Sequence, residues 1–261
     1  MIEFNRFKDG KIKALTMSYD DGTIFDERLI EIFDKYAIKG TFHLNSGLLG
    51  THRRIKADEV KDLYKNHEVA IHGVLHKHLS HLPEQCMVEE ILNDRKELEK
   101  LCGKPVFGMS YAYGDYNDNA LRVLKNCGIV YSRTVKSTSW FNIPDNFLTW
   151  HPSCHHNSAP ELADAFINTK YIGTLMYIWG HAYEFNDADN WGVIEDVCKK
   201  TSFRDDIWYA TNIEIYEYVT ALKSLRFSAD GKTAVNPTAL DLWFSVDDEC
   251  VHIKPGETLC I

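Results

Sequence analysis

The sequence predicts an α/β fold in which parallel strands form a closed or nearly closed barrel. Strand-like and helix-like segments alternate along residues 12–225, the pattern of β-then-α units that builds a parallel sheet. About seven such units are present, and that number suits a barrel. The chain of 261 residues is long enough to enclose one large core.

The first half of the chain supplies four strands and four helices. The expected strands are "IKALTMSYD", "KGTFHLN", "HEVAIH" and "PVFGMSYAY". The helix "DERLIEIFDKYA" carries Leu29 and Phe33 at helical spacing, and "ADEVKDLYKN" follows the second strand. The long helix "PEQCMVEEILNDRKELEKLCG" begins at Pro83 and stops at Gly103. The fourth helix is "NDNALRVLKNCG".

The second half completes the barrel. Strand "IVYSR" is followed by a loop-rich insertion from Thr134 to Ala159 and by helix "PELADAFINTK". Strand "YIGTLMYIWGH", helix "NWGVIEDVCKK", strand "IWYAT" and helix "NIEIYEYVTALKSL" follow. Barrel active sites lie at the C-terminal ends of the strands, so residues at those ends are the candidates for chemistry.

The last stretch of the chain differs in character. Residues 226–261 contain short alternating segments broken by Asp-Gly, Asn-Pro and Pro-Gly turns. We therefore expect a barrel domain over 1–225 and a small β appendage over 226–261, packed on the barrel and without chemistry of its own.

Charge and cysteine usage narrow the class of protein. The net charge of -9 argues against nucleic acid or an anionic membrane as the main partner. The seven cysteines are dispersed and form no Cys-x-x-Cys pair, which indicates a reducing compartment. The N-terminal segment lacks an apolar signal core and no apolar run approaches membrane-spanning length, so we expect a cytoplasmic protein. The oligomeric state is not indicated.

Two adjacent acids, Asp20 and Asp21, end the first strand. Asp and Gly suit strand-ending turns and helix caps, so a structural role is one interpretation. The other is a metal site in which one acid binds the ion and its neighbour acts as a base. His72 and His76 follow another strand, and a helical turn there would put both imidazoles on one face. Two His and one Asp form a three-ligand set with open positions.

Two further strand ends carry reactive groups. Trp179, Gly180 and His181 end the strand "YIGTLMYIWGH", where a histidine is a natural general acid or a simple turn residue. Tyr113 and Gly114 end another strand and can direct a main-chain N–H into the same mouth.

These motifs resemble the polysaccharide deacetylases of the NodB-homology group, also called carbohydrate esterase family 4. Residues 18–22, "SYDDG", are similar to the family's Thr-Phe-Asp-Asp-Gly motif, and His72 and His76 match the two ligands of its His-Ser/Thr-x-x-His motif. "SYAY" keeps only the aromatic of Arg-x-Pro-Tyr/Phe, and "WGH" keeps the histidine of Leu-x-His. The resemblance spans roughly residues 12–212 and implies a distorted (β/α)7 barrel of the NodB type.

The resemblance also implies roles. Asp20 would be the general base, and Asp21, His72 and His76 the metal ligands. His181 would be the general acid, and the N–H of Tyr113 an oxyanion donor. The implied ion is divalent, most often Zn²⁺ in the family, although the ligand set also suits Fe²⁺, Co²⁺ or Ni²⁺. Its charge would let both adjacent acids stay ionised.

The departures from the family pattern point to a divergent member. Ser110 stands where the family has an arginine that orients the base, and Arg133, at the end of the next strand, is the expected substitute. The aspartate that tunes the catalytic histidine has no obvious counterpart, and Glu184 or Asp187 are the candidates. Besides these, the residues predicted to line the substrate cleft, or to form an ordinary loop, are Trp150, His151, His155, His156 and Trp179.

The expected activity is therefore removal of acetyl groups from an N-acetylated or O-acetylated sugar or oligosaccharide. Hydrolysis of a non-sugar amide on the same scaffold is an alternative. A glycan-binding pseudoenzyme is the alternative from another class, supported by the missing arginine. The presence of a base, three ligands and an acid together argues against it.

Overall fold

The architecture is built on one parallel sheet that curls into an incomplete barrel. A computed structural model describes residues 1–261. Its strands are β1 (Ile2–Glu3), β2 (Lys13–Asp20), β3 (Gly40–Leu44), β4 (Glu68–Ile71), β5 (Gly108–Ser110), β6 (Tyr131–Arg133), β7 (Cys154–His155), β8 (Thr174–Gly180), β9 (Ile207–Tyr209), β10 (Arg226–Phe227), β11 (Thr233–Val235), β12 (Leu242–Val246), β13 (Glu249–Ile253) and β14 (Thr258–Cys260). Its α-helices are α1 (Asp26–Lys35), α2 (Val60–Leu63), α3 (Glu84–Cys102), α4 (Asp118–Asn126), α5 (Ala159–Asn168), α6 (Ala182–Asp187), α7 (Gly192–Thr201) and α8 (Asn212–Lys223).

Seven strands of the sheet follow the order β6-β5-β4-β3-β2-β8-β7, and all neighbours are parallel. The central strand β2 is buried along its whole length. Its first half also pairs with β9, while its second half pairs with β3. The prediction of a distorted barrel of seven β/α units is confirmed.

The two edges of the sheet approach each other through the insertion. The main-chain N–H of Trp150 donates to the carbonyl of Ser132 at 3.0 Å, and the N–H of Thr134 donates to the carbonyl of Trp150 at 3.0 Å. The same insertion then forms β7 on β8. The insertion from Thr134 to Ala159, predicted to be rich in loops, therefore contributes a strand and nearly closes the barrel.

The helices bury their apolar sides against this sheet. In α1, Leu29 and Phe33 are fully buried, as their helical spacing predicts. Helix α3 ends at Gly103, whose φ of 71° is the left-handed conformation that suits a helix C-terminus. Helix α6 follows His181 directly and was not predicted from the sequence. No helix combines the length and the apolar character that crossing a membrane requires.

The C-terminal residues form two small antiparallel sheets beside the barrel. One has the order β10-β11-β14, and the other has the order β1-β12-β13. The start of the chain therefore pairs with the appendage: Ile2 lies opposite Val246. Leu242 and Phe244 of β12 are fully buried and pack with Tyr218 and Leu222 of α8. The appendage packs on the barrel on the side of α8.

Candidate active site

Asp20 and Asp21 lie at the C-terminal end of β2, both nearly buried. The N–H of Asp21 still donates to the carbonyl of His43 at 2.9 Å, so the ladder with β3 runs one residue past the strand. Asp21 then adopts a φ of 86°, which is rare for a residue with a side chain. The two carboxylates meet different partners as a result, although they are neighbours in the sequence.

His72 and His76 follow β4 in a loop that is not helical. The helical turn expected between them is wrong: Gly73 has a φ of 82° and His76 a φ of 56°. The two rings nevertheless meet, with centroids 4.6 Å apart. The sequence spacing therefore predicted that the two rings lie close together, but through a helical turn that the loop does not form.

Buried polar groups hold this loop in place. The amide of Asn45 donates to the carbonyls of His72 and Gly73, and the N–H of His72 donates to the carboxylate of Asp94 at 3.0 Å. Glu90 accepts from the N–H of Leu75 at 2.6 Å. A Cβ on Gly73 would lie 3.2 Å from Glu90 Oε1, which explains why glycine stands at a position where the family has a hydroxyl residue.

Asp21, His72 and His76 form a set of three candidate metal ligands. One ligand atom from each lies within 4.8 Å of the others, and Asp21 Oδ1 is 3.8 Å from His76 Nε2. Asp21 Oδ1 is buried without a hydrogen-bond partner. His72 turns Nδ1 to the carbonyl of Ser110 at 2.8 Å, which leaves Nε2 for an ion.

The protonation states of the two imidazoles also suit an ion. Burial lowers the pKa of His76 to about 4, and it lowers the pKa of His72 as well. Both rings are therefore neutral at pH 7, as metal ligation requires. With a buried carboxylate oxygen that accepts no hydrogen bond and two neutral imidazoles, the residues fit a divalent transition-metal ion.

Asp20 is held by a buried arginine. The guanidinium of Arg133 donates to Asp20 Oδ2, and neither side chain is exposed by more than 3%. Ser110 donates to the other oxygen at 3.1 Å, and His43 Nδ1 lies 3.1 Å from it. Burial would raise the pKa of Asp20, but the charge of the Arg133 guanidinium, helped by the contact with His43, outweighs it and holds that pKa well below its usual range. Asp20 is therefore ionised at neutral pH.

His181 is held by Glu184 from the first turn of α6. The Nδ1 atom of His181 lies 2.6 Å from Glu184 Oε1. Burial would lower the pKa of His181, but the bond to Glu184 and the charges of Asp20 and Asp21 raise it above its ordinary value. Of the two acids considered from the sequence, Asp187 instead pairs with Arg53. Glu184 is thus the carboxylate that tunes the histidine.

Tyr113 lies at the rim, beside the ligand set. It has a φ of 59° in a turn that follows β5. Its ring meets the ring of His76 edge-on, with centroids 4.4 Å apart, and stacks on His78 at 4.0 Å. Tyr113 is 59% exposed, so part of its ring is accessible to a ligand.

The insertion contributes less to the cleft than predicted. Trp150 is 1% exposed and packs against Tyr131 and Tyr177, so the expectation that it stacks on a substrate is wrong. His156 is also 1% exposed, and its predicted contact with substrate is wrong for the same reason. In both cases the insertion folds inward to close the barrel.

The other predicted cleft residues remain partly accessible. The rings of His155 and Trp179 meet edge-on with centroids 5.0 Å apart, and both residues are half-buried. Arg133 lies over the Trp179 ring at 4.2 Å from its centroid. His151 Nδ1 lies 2.6 Å from the hydroxyl of Thr134, within the insertion.

Two residues that contact the adjacent acids, Arg54 and His43, were missed by the sequence analysis. Arg54 donates to the main-chain carbonyl of Asp21, and its Nη1 lies 3.2 Å from Asp21 Oδ1. It comes from a loop 33 residues further along, and no strand end or motif marks it. His43, by contrast, stands near the end of β3 and could have been found by the strand-end argument.

Comparison with known proteins agrees with this fold. The family described as polysaccharide deacetylase matches residues 7–132, a little under half of the chain. A putative polysaccharide deacetylase from Mycobacterium smegmatis shares the fold with a TM-score of 0.64 and 20% identity, over 83% of this chain and 93% of that one. No curated protein sequence matches the chain.

Two other solved structures are similar to parts of the chain. A CE4 family pseudoenzyme from Bacillus anthracis has a TM-score of 0.52 and 15% identity, over 80% of this chain and 66% of that one. The deacetylase PplD of Streptococcus pyogenes matches with a TM-score of 0.45 and 22% identity, over 46% of this chain and only 55% of its own length.

The family match and the shared fold define the class: an α/β half-barrel of the polysaccharide deacetylase type. The family match over residues 7–132, together with the shared fold, is consistent with a divergent member of the NodB-homology group, the resemblance noted in the sequence.

Proposed function

We propose that the protein is a metal-dependent hydrolase that removes acetyl groups from an N-acetylated, or O-acetylated, sugar or oligosaccharide. The observation that carries the proposal is the separation of roles between two adjacent acids. Asp21 joins His72 and His76 in a ligand set, while Asp20 is paired with buried Arg133. A module that only binds glycan needs neither arrangement.

Asp21, His72 and His76 would hold a divalent ion, with zinc as the first candidate. When bound, such an ion polarises an acyl oxygen and lowers the pKa of a water molecule. Imidazole and carboxylate ligands suit Zn²⁺, Fe²⁺, Co²⁺ and Ni²⁺. The ion that occupies the site therefore depends also on which of these metals is available in the cell.

Asp20 and His181 have the protonation states that hydrolysis needs. Ionised Asp20 accepts a proton from the attacking water, whose oxygen forms the new bond to the acyl carbon. His181, whose pKa is raised, carries a proton for the leaving amine as the C–N bond breaks. The products are acetate and the free amino sugar.

Residues at the C-terminal ends of the strands can orient the substrate and stabilise the negative charge that develops on the acyl oxygen. We assign the main-chain N–H of Tyr113 as a donor to the acyl oxygen, a contribution of about 3 kcal/mol for one such donor. The exposed ring of Tyr113 and the half-buried ring of Trp179 offer faces for a sugar ring. The dispersed cysteines favour a reducing compartment, and we therefore propose an oligosaccharide or small conjugate as the substrate.

The test is acetate release from a substrate panel by protein of known metal content. The panel contains N-acetylated and O-acetylated sugars and oligosaccharides, together with non-sugar amides. Release from acetylated sugars, lost after chelation and restored by a divalent ion, is the expected result. If only non-sugar amides are hydrolysed, the substrate would be a non-sugar amide and not an acetylated sugar. Binding of glycan by metal-loaded protein with no turnover would identify a pseudoenzyme and overturn the proposal.

A further inference from the structure

A second group of metal-ligating side chains lies behind His181. The Oε2 atom of Glu184 is 3.1 Å from Nε2 of His155 and 3.1 Å from Nε2 of His156. All three atoms lie within 4.8 Å of one another. None of these residues belongs to the set formed by Asp21, His72 and His76.

Hydrogen bonding does not explain how His156 is placed. Both of its ring nitrogens are buried and have no hydrogen-bond partner, although Nε2 is close to Glu184. A separation of 3.1 Å is also that between neighbouring ligand atoms on one ion, since metal–ligand bonds of about 2.0–2.1 Å place them roughly 2.9–3.4 Å apart. An unpartnered, buried imidazole therefore points at a carboxylate oxygen with the spacing of two ligands.

The surrounding residues fix that ring. His156 stacks on Phe185 with centroids 4.0 Å apart, and its ring is nearly parallel to that of Tyr19 at 5.9 Å. Gly180 leaves room for it, because a Cβ there would lie 2.0 Å from His156 Nδ1. The packing thus fixes the imidazole of His156 in one orientation.

The other side of the group is open. The side chains of His155 and Glu184 are 25% and 28% exposed, so an ion can enter and solvent can complete its coordination. His155 Nδ1 accepts from the N–H of Asn157 at 3.4 Å, a long contact that is given up when Nε2 binds an ion and the proton moves to Nδ1.

We propose that His155, His156 and Glu184 form a second binding site for a divalent transition-metal ion. Two imidazoles and one carboxylate favour Zn²⁺, Co²⁺, Ni²⁺ or Cu²⁺ over Mg²⁺ and Ca²⁺, which prefer oxygen ligands. The two sites share no ligand.

The second site is connected to His181 through one residue. Glu184 places Oε1 on His181 and Oε2 on the second site. An ion on Oε2 would draw towards the second site the carboxylate that positions His181. Excess ion should therefore slow turnover, a consequence that rests on the proposed function, whereas the site itself does not.

Cobalt titration of metal-stripped protein tests the site, read by visible absorption and by calorimetry. The wild type should bind two equivalents of Co²⁺. Asp21→Asn and His155→Ala should each bind one, with different spectra, and the double variant should bind none. His151→Ala, in the same insertion, should still bind two. Circular dichroism checks that each variant is folded. One equivalent in the wild type, or two in His155→Ala, would overturn the second site.

A separate arm tests the connection to His181. The rate with excess Co²⁺, divided by the rate at one equivalent, should fall in the wild type and stay constant in His155→Ala. Two equivalents without slowing would overturn the connection alone. A wild type that binds two equivalents and releases no acetate from any substrate would overturn the proposed function and leave the second site standing.

Discussion

At the scale of single residues, Asp20 and Asp21 show how one backbone turn separates two like charges. The φ of 86° at Asp21 sends its carboxylate to His76 and Arg54, while Asp20 meets Arg133 and Ser110. Each acid has a cation of its own nearby. The two acids can therefore take different roles although they are adjacent in the sequence.

The two acids should respond differently to the same substitution. Asp20→Asn should retain metal, because all three ligands remain, while turnover falls about 10²–10⁴-fold with the loss of a general base. Asp21→Asn should lose metal affinity, since it removes the anionic ligand. Metal content measured beside acetate release checks both. Wild-type turnover by Asp20→Asn would show that the two assignments are wrong.

Arg133 should control the pH at which Asp20 ionises. Its charge holds the pKa of Asp20 down, so Arg133→Gln should raise that pKa and move the acidic limb of kcat/KM to higher pH. Removing one partner of a buried pair should also cost about 3–5 kcal/mol of stability.

A surface arginine provides the control for Arg133→Gln. Arg122→Gln removes an exposed partner of Glu84 and should change neither the pH profile nor, by more than about 1 kcal/mol, the free energy of unfolding. An unshifted acidic limb in a folded Arg133→Gln variant would assign the orientation of Asp20 to Ser110 and His43 instead.

At the scale of elements, the site depends on short segments attached to strand ends. Helix α6 has six residues, and its Glu184 and Asp187 are one helical turn apart. Only Glu184 faces His181, whereas Asp187 pairs with Arg53. The helix therefore offers a matched pair of acids for separating an effect on His181 from a general effect of charge.

Glu184→Gln should move the basic limb of the pH profile to lower pH. The bond to Glu184 raises the pKa of His181, so removing the charge lowers that pKa and the general acid loses its proton earlier as pH rises. Asp187→Asn should leave the limb in place. The check is kcat/KM against pH at constant metal loading, and equal shifts in both variants would contradict the assignment.

The loop after β4 places His72 and His76 through Gly73. Gly73→Ala puts a Cβ on a backbone with a φ of +82°, 3.2 Å from Glu90 Oε1, and should displace the loop and weaken metal binding. Gly50→Ala has nearly the same φ of +75° but nothing within 4 Å.

The comparison of the two glycines separates strain from contact. Both variants should lose about 1–2 kcal/mol of stability from the left-handed backbone. Only Gly73→Ala should bind Co²⁺ more weakly at the first site, measured by titration in the His155→Ala background. Equal affinities would mean that the loop does not position the ligands through this contact.

At the scale of the whole molecule, the features that could be predicted from the sequence are those that depend on strand order and on the positions of strand ends. Parallel strands end at one edge of the sheet, so Asp21, His72 and His181 could be assigned to one mouth before their distances were known. Arg133 could be assigned to Asp20 for the same reason, because β6 follows β5 along the sheet.

Features that depend on long-range packing could not be predicted. Strand β7 has two residues and helix α6 has six, too few to show a period. Trp150 and His156 look like surface aromatics in a polar loop, and only the closing of the barrel buries them. Arg54 reaches Asp21 from a loop with no motif.

Glu68 joins several parts of the molecule and makes its stability depend on pH. Its carboxylate accepts from Thr41 on β3 at 2.8 Å, from Tyr131 on β6 at 2.7 Å and from the N–H of Ile213 on α8 at 2.9 Å. Burial raises its pKa to about 7. Between the ordinary pKa of a glutamate and this value, the folded protein holds a proton that the unfolded chain has released.

The contribution of Glu68 to stability should therefore fall as pH rises from about 4.3 to 7, by roughly 1.4 kcal/mol per pH unit, and then level off. Glu68→Gln removes this slope. The free energy of unfolding of the variant, minus that of the wild type, should therefore rise between pH 5 and 7 and stay constant above pH 7. Glu161→Gln, at an exposed position of α5, should show no such trend. Denaturant unfolding of metal-free protein at each pH measures the difference in free energy of unfolding between variant and wild type. Burial lowers the pKa of histidines such as His43, which gives an opposing slope with pH. That slope is the same in both proteins and cancels in the difference. A difference between Glu68→Gln and wild type that does not change from pH 5 to 8 would mean that Glu68 is ionised in the fold, sustained by its three donors.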